Sequence, residues 1–366
     1  MKIRFAKPHR IAFTIFACNE SEVIRATLES IKKAMRGSDE LFVIADNCSD
    51  NTAQIALDSG AKVFIRTNER VKGKGAAIRW FAQLHRDLLN EFDEIVILDA
   101  DSLLSVDFIE KLEPYLNDDF LVGQCFLQPE NYKSSPVSIV IALSELLEQS
   151  VFDQIRANFG FSVRLRGTGM VFRPNLLLEL CKNIDTEVED IVFSLLLAEK
   201  KIIVRHLRTV NVFDPKPLEV SDASKQRARW FRGQNIALWK FRKDVLRTSF
   251  SGLNGWSVLS SIFFKPRWLQ LLILAILGFL FFHSPMLSGF FFSLLGIEAL
   301  LMFIGFMKMN NRKEFAHALF FIPIFIFMWV KGILLSFHKI PWLRVRKMAQ
   351  PINDYVLSPK SEEMIK

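Results

Sequence analysis

Five short clusters hold the residues able to do chemistry. "VILDADS" presents Asp99 and Asp101 as a carboxylate pair, an oxygen donor set suited to Mg2+ or Mn2+ carrying a substrate's phosphates. "RVKGKGAAIRW" sets Lys72 and Lys74 among Gly73 and Gly75, so cationic charge and close backbone approach coincide near a helix start. "ACNESE" supplies Asn19 and Glu20, and "DNCSDNT" supplies Asp46 and a turn in which Asp50 or Asn51 can cap the next helix. "DTEVEDIVFSLLLAEKK", residues 185–201, crowds four acids ahead of an apolar stretch. Acids at a helix start complement its dipole, and a carboxylate held there can also serve as a general base.

These clusters need elements to position them. Strand-like runs occur at Ile11–Ala17, Leu41–Ala45, Lys62–Ile65 and Glu94–Leu98, with helical periodicity at Glu22–Met35, Thr52–Ser59 and Ala76–Leu89. Alternation of this kind predicts an α/β, Rossmann-like domain with a mostly parallel sheet. Ligands bind such sheets beyond the carboxyl ends of the strands. The first four clusters each follow one of the four runs. Singly, each reads as an acidic turn, a basic loop or a cap; together they predict a nucleotide-diphosphate ligand with a divalent metal. A nucleotidyltransferase would place a glycine-rich loop after the first strand, whereas "ACNESE" has no glycine and two acids. Sugar transfer therefore fits better than nucleotidyl transfer.

At this point the sequence resembles the family 2 glycosyltransferases, in particular the branch with the cellulose, chitin, hyaluronan and poly-N-acetylglucosamine synthases. The resemblance runs from about Arg10 to Trp230 through "ACNESE", "DNCSDNT", "KGKGAA", "DADS", "RGTGMVF" and "VEDIVFSLLL". It closes with "QRARW", a match to the Q-x-x-R-W signature at Gln226, Arg229 and Trp230. It implies a GT-A fold. It also implies that Asn19, Glu20, Asp46 and Lys74 contact the nucleoside, that Asp99 sits near the diphosphate, and that Asp101 is the principal metal ligand. Gly167, Thr168 and Gly169 would shape the acceptor site. Asp190, preceded by Glu189, would be the general base, its pKa raised by burial; Gln226, Arg229 and Trp230 would hold the leaving group and the acceptor end. The implied reaction is a single in-line displacement with inversion. Where family members often carry a further acid and an Arg after the Glu-Asp pair, this chain has Val192 and Leu196.

The 366 residues include 35 Phe and carry a net charge of +8. Beyond Phe250 long apolar runs dominate: Trp268–His283, Met286–Met307 and Ala318–Phe337, each near the ~20 residues that cross a bilayer. The expected organisation is a cytosolic catalytic domain over 1–245, an interfacial segment over 246–266, a membrane region over 267–338 and a basic tail over 339–366. Lys265 and Arg267 before the first run, and Lys308, Arg312 and Lys313 after the second, predict a hairpin with both ends in the cytosol. The third run, with Pro323 and Lys331 inside it and Lys339, Arg344, Arg346 and Lys347 after it, reads either as a span or as a re-entrant helix. "MKIRFAKPHRIAFTIFACNES" lacks a cleavage pattern and reads as a buried first strand. The four cysteines have neither metal-site nor disulfide-framework spacing.

The sequence thus predicts an inner-membrane enzyme with a UDP-sugar donor and a polysaccharide product. Three membrane helices make a polymer channel within one chain difficult, so export partners, an oligomer, or a single addition to a polyprenyl-diphosphate-linked acceptor are the alternatives. A non-catalytic sugar-nucleotide-binding subunit would not need both the base and the metal ligands. The cationic excess is accounted for by membrane lipid and phosphate, not nucleic acid.

Overall fold

The structure, a computed structural model, describes residues 9–68, 70–184, 186, 188–263, 266–309 and 312–338. The expectations placed on Asp185, Glu187, Lys265 and the 339–366 tail with Lys339, Arg344, Arg346 and Lys347 lie outside these residues.

The chain begins with β1 (Ile11–Ala17), α1 (Ile24–Ala34), β2 (Glu40–Asp46), α2 (Thr52–Asp58), β3 (Lys62–Arg66), α3 (Lys74–Leu84), α4 (Arg86–Leu89) and β4 (Glu94–Asp99). There follow β5 (Leu103–Leu104), α5 (Phe108–Leu112), β6 (Val122–Pro129), α6 (Pro136–Leu147), α7 (Gln154–Asn158), β7 (Met170–Phe172), α8 (Pro174–Leu180), α9 (Glu189–Glu199) and β8 (Arg205–Asp214). The rest is helical: α10 (Val220–Lys240), α11 (Arg242–Ser249), α12 (Leu253–Phe263), α13 (Arg267–Leu280), α14 (Pro285–Lys308), α15 (Arg312–Ala316) and α16 (Ile322–Ser336).

The eight strands form one sheet in the order β3-β2-β1-β4-β7-β6-β8-β5. Its first four strands are parallel, as the apolar runs predict, because strands covered on both faces read as continuous hydrophobic segments. On one face Phe13 and Ile15 pack with Leu28 and Ile31 of α1 and Phe108 of α5. On the other, Phe64 meets Phe81 at 5.0 Å and Phe42 meets Phe92 at 5.6 Å between ring centroids. The fully buried rings among these, Phe13, Phe42, Phe81, Phe92 and Phe108, each contribute roughly 1.5–3 kcal/mol of transfer free energy. β7 joins β4 antiparallel, β6 joins β7 antiparallel and β5 joins β8 antiparallel. The helix expected over Ala76–Leu89 is divided at His85, whose ring packs 4.3 Å from that of Phe64.

The parallel register aligns the strand ends. Asp46 stands opposite Arg66, and Phe16 opposite Asp99. β2, β3 and β4 each run one residue beyond the sequence expectation, so Asp46, Arg66 and Asp99 are terminal strand residues held by the ladder.

The described residues divide into two compact units, one within 9–127 and 165–214 and the other within 128–164 and 215–338. In the second unit α6, α10 and α16 share a buried core: Val137, Val140, Ile141, Ala223, Phe325 and Met328. Within the second unit, Arg267 donates to Glu148 at 2.8 Å and to Glu298 at 3.1 Å, while Arg156 donates to Asp153 at 2.9 Å. Among the described residues two helices are long and apolar enough to cross a membrane, Pro285–Lys308 and the continuous stretch Arg312–Ser336, or up to three when α12 and α13, bent by 95°, are counted as one. The first apolar run differs from its expectation. It forms a 14-residue α13, shorter than a bilayer requires, whereas the third run belongs to a 25-residue helix. α13 packs against α14, with Phe279 against Phe292 and Ser288 Oγ donating to the Gly278 carbonyl at 3.0 Å.

Candidate active site

The loops after β1 and β2 are tied into one piece. Asn19 holds a left-handed backbone, φ 58°, a conformation Asn tolerates better than most residues. Its side-chain oxygen accepts from the Ser49 amide at 2.6 Å and the Asp50 amide at 3.3 Å. The Glu20 amide donates to Thr52 Oγ1 at 2.7 Å, and the Ser21 amide to Asp50 at 3.1 Å. Burial alone would raise the Asp50 pKa, but hydrogen bonds from Thr52 and Ser21 outweigh it and hold the carboxyl at about 2. Asn51 makes no side-chain cap; the Thr52 amide at the start of α2 is instead satisfied by Asp50. Asn19 and Glu20 therefore shape this loop pair.

Asp46 lies buried at the end of β2, where its carboxylate accepts from the Arg66 guanidinium and from Asn47 Nδ2 at 2.8 Å. Burial raises its pKa despite the Arg66 hydrogen bond. Arg66 also donates to the Val71 carbonyl at 2.6 Å and so tethers the loop leading to Lys72. This arginine was not among the sequence candidates. Its signal was a cation ending an apolar strand beside an Asp-ended neighbour.

Lys74, the first residue of α3, is the hub of the other cluster. Its ammonium donates to Asp99 Oδ1 at 2.5 Å and to the Gly167 carbonyl at 2.8 Å, and stands 4.0 Å from Glu189 Oε1. Burial would depress its pKa, but Asp99, Glu189 and Asp190 outweigh it and raise it. Gly75 makes this approach possible: a Cβ there would overlap the Thr186 carbonyl oxygen and crowd Glu189. Its missing side chain is thus used by the chain itself.

The Gly167-Thr168-Gly169 turn sits against the same strand end. Gly167 and Gly169 have φ of 86° and 66°, where a side chain would be strained. Thr168 Oγ1 accepts from the Asp99 amide at 3.1 Å and shares a 2.8 Å hydrogen bond with Ser102 Oγ. Gln124, buried in β6 and also absent from the sequence candidates, fixes the turn from beneath. Its amide donates to the Thr168 carbonyl at 2.9 Å and its oxygen accepts from the Arg166 amide at 2.9 Å.

Glu189 and Asp190 open α9, at the positive end of its dipole. Burial was expected to fall on Asp190. Instead Glu189 is the buried acid, and Asp190, one residue on, is half-buried. Desolvation, opposed by Lys74 and reinforced by Asp190, pushes the Glu189 carboxyl up to about 8. Ser194 Oγ joins the Asp190 carbonyl at 2.7 Å to the Leu165 amide at 3.3 Å, linking the start of α9 to the extended segment leading into the glycine turn. The first unit therefore brings together Lys74, Asp99, Gly167, Thr168 and Glu189.

Gln226, Arg229 and Trp230 lie in the second unit on α10, where i, i+3 and i+4 spacing gives them one face. Trp230 is exposed. Arg227 points elsewhere. It is buried, donates to the Ala223 carbonyl at 2.9 Å, and stacks 5.5 Å from the Phe325 ring and 5.3 Å from the Trp329 ring of α16. His206, read as structural, stacks against Phe126 at 6.1 Å.

The sequence model described as glycosyl transferase family group 2 matches residues 94–331, and that of glycosyl transferase family 2 matches residues 13–163. No curated protein matches the chain significantly. Similar solved structures include a mannosyltransferase from Pyrobaculum calidifontis in complex with GDP-Man and Mn2+, at 13% identity and a TM-score of 0.49, covering 91% of this chain and 88% of that one. Another is glucosyl-3-phosphoglycerate synthase from Mycobacterium tuberculosis in complex with Mn2+, UDP and phosphoglyceric acid, at 19% identity and a TM-score of 0.37, covering 55% of this chain and 69% of that one. A further structure of the M. tuberculosis synthase has 21% identity and a TM-score of 0.36, covering 55% and 71%. By the family match across residues 94–331, which is more than half of its length, the chain belongs to the family 2 glycosyltransferases.

Proposed function

We propose that the protein is a membrane-bound, metal-dependent inverting glycosyltransferase. It moves a hexose from a nucleotide-diphosphate sugar, first among them a UDP-sugar, onto a growing glycan in polysaccharide synthesis. One arrangement carries the reading: Lys74 bridges Asp99 and Glu189 at the carboxyl end of a parallel sheet, directly before Asp190 at the start of α9.

The loop pair of Asn19, Glu20 and Asp46 shapes the nucleoside site, and Lys74 supplies fixed positive charge beside the diphosphate. Asp190 takes the proton of the acceptor hydroxyl, whose oxygen bonds to the anomeric carbon as the bond to the diphosphate oxygen breaks. Glu189, buried against Lys74, positions that lysine. The Gly167-Thr168-Gly169 turn borders the acceptor. Arg229 neutralises the leaving diphosphate, while Gln226 and Trp230 hold the acceptor end.

Among the described residues no group of three or more His, Cys, Asp or Glu encloses a metal. Asp99 and Asp101 nonetheless fit Mg2+ or Mn2+, because two carboxylates suffice for an ion that takes its other ligands from phosphate oxygens and water. Such an ion, held mainly by Asp101, would supply further charge stabilisation of the diphosphate.

The small number of described membrane-length helices supports a second reading, one sugar added to a polyprenyl-diphosphate-linked acceptor. Titration of the full-length protein with UDP- and GDP-sugars, with and without Mg2+ or Mn2+, tests the donor assignment. Saturable, metal-strengthened binding is expected, and absence of binding to any sugar nucleotide would sink it. Product mass then separates a ladder of lengths from a single addition.

A further inference from the structure

Two hydroxyl-bearing residues stand on the core face of α1, where helical periodicity calls for apolar side chains. The buried residues of that helix are Ile24, Thr27, Leu28, Ser30, Ile31 and Ala34. Thr27 and Ser30 are 0% and 1% exposed. A hydroxyl in such a place costs stability unless it is hydrogen-bonded. Within a helix a threonine hydroxyl ordinarily bonds the carbonyl one turn back. Thr27 Oγ1 instead donates at 2.8 Å to the carbonyl of Ala100, 73 residues further along the chain. Ser30 Oγ donates locally to the Thr27 carbonyl at 2.8 Å and accepts from the Leu104 amide of β5 at 3.1 Å.

Ala100 lies between the two carboxylates of the proposed metal site. Residues 99–102 form a turn closed by the Ser102 amide, which donates to the Asp99 carbonyl at 3.2 Å. Thr168 Oγ1 holds this turn at the Asp99 amide and at Ser102 Oγ. Thr27 holds it at the peptide that joins Ala100 to Asp101. We infer that Thr27 is a positioning residue for the divalent metal: its hydroxyl fixes the backbone that carries Asp101, so that the carboxylates are set before an ion arrives. Groups that orient a metal's ligands govern its affinity although they do not touch it. The inference rests on the proposed function, in which Asp99 and Asp101 take Mg2+ or Mn2+. Ser30 supplies the internal comparison, since it is equally buried in the same helix but bonds backbone beyond the turn.

Mn2+ binding to the full-length protein tests this without using activity. It is read from the electron paramagnetic resonance signal of the free ion, with UDP present and separately with GDP, after subtraction of nucleotide-only controls. Thr27→Val keeps the branched shape and removes the donor, and should weaken Mn2+ binding by roughly 10–100-fold. Thr27→Ser should restore most of the loss. Thr27→Cys, which retains only a weak donor, should lie between them and carries the test if the valine variant does not fold. Ser30→Ala should lower the thermal unfolding midpoint yet bind Mn2+ as the wild type does. Wild-type affinity in Thr27→Val, or in Thr27→Cys where the valine variant is unfolded, would overturn the inference. So would an equal loss in Ser30→Ala, because both hydroxyls would then only dock α1 on the sheet. A wild type that takes up no Mn2+ with either nucleotide would refute the metal reading itself, and the inference with it.

Discussion

Lys74 and Asp99, from the start of α3 and the end of β4, meet at 2.5 Å and join two strand-end loops that are 25 residues apart in sequence. The same ammonium reaches the Gly167 carbonyl and stands near Glu189. One side chain therefore sets the geometry on both sides of the proposed donor diphosphate. Replacing it by methionine keeps the length of the stem and removes the charge. Lys74→Met is expected to weaken sugar-nucleotide binding by roughly 10–100-fold, the ~1.5–3 kcal/mol of a charge-assisted hydrogen bond. Isothermal titration measures it; unchanged affinity would remove Lys74 from the donor site.

The raised Glu189 carboxyl makes stability depend on pH. A carboxyl that ionises less readily when folded favours the folded state while protonated. Its contribution is complete below the unfolded value of 4.5 and is lost as pH rises through about 8. Thermal unfolding midpoints should therefore fall across that window in the wild type. Glu189→Gln mimics the protonated form and should flatten the fall, and parallel pH profiles for the two proteins would refute the assignment.

Gly75→Ala tests whether the glycine serves the chain's own packing. The added methyl must displace the Thr186 carbonyl, at a cost of about 1–3 kcal/mol for overpacking. A lowered unfolding midpoint with a reduced kcat is expected, because the displaced segment leads into Asp190. A variant with wild-type stability and a raised donor KM would instead mean that the glycine faces phosphate.

Arg227 links the Q-x-x-R-W helix to α16 through the rings of Phe325 and Trp329. Arg227→Met should lower the unfolding midpoint of the full chain in nanodiscs by the equivalent of about 2 kcal/mol for a desolvated cation–π contact. Arg227→Lys keeps the charge without the planar stacking and should restore only part of it. Full restoration by lysine would show that charge alone matters.

The parallel half of the sheet was legible because β1, β2 and β4, buried along nearly their whole length, leave unbroken apolar runs, and the reactive clusters follow the strands. The antiparallel half was not. β5 and β7 are two and three residues long, and their pairing comes from distant β8, β4 and β6. Lys74, Asp99 and Glu189 were readable as types in order, but their convergence on one ammonium depends on Gly75 and the close packing of α3 against Thr186. Arg66 and Gln124 escaped because each is a buried polar residue satisfied by partners remote in sequence. Hydropathy located the apolar runs but not their helix ends: α13 stops at Leu280, and the third run extends back to Arg312.

The central claim meets its most direct test in one assay. Full-length protein in nanodiscs is incubated with isotopically labelled UDP- and GDP-sugars, Mg2+ or Mn2+, and a membrane extract as acceptor source, and nucleoside diphosphate release is followed with label transfer. The account predicts release coupled to transfer by the wild type. It also predicts a fall of about 10²–10⁴-fold in Asp190→Asn, which removes the general base while donor binding persists. Equal turnover by wild type and Asp190→Asn, or no transfer from any sugar nucleotide, would contradict it.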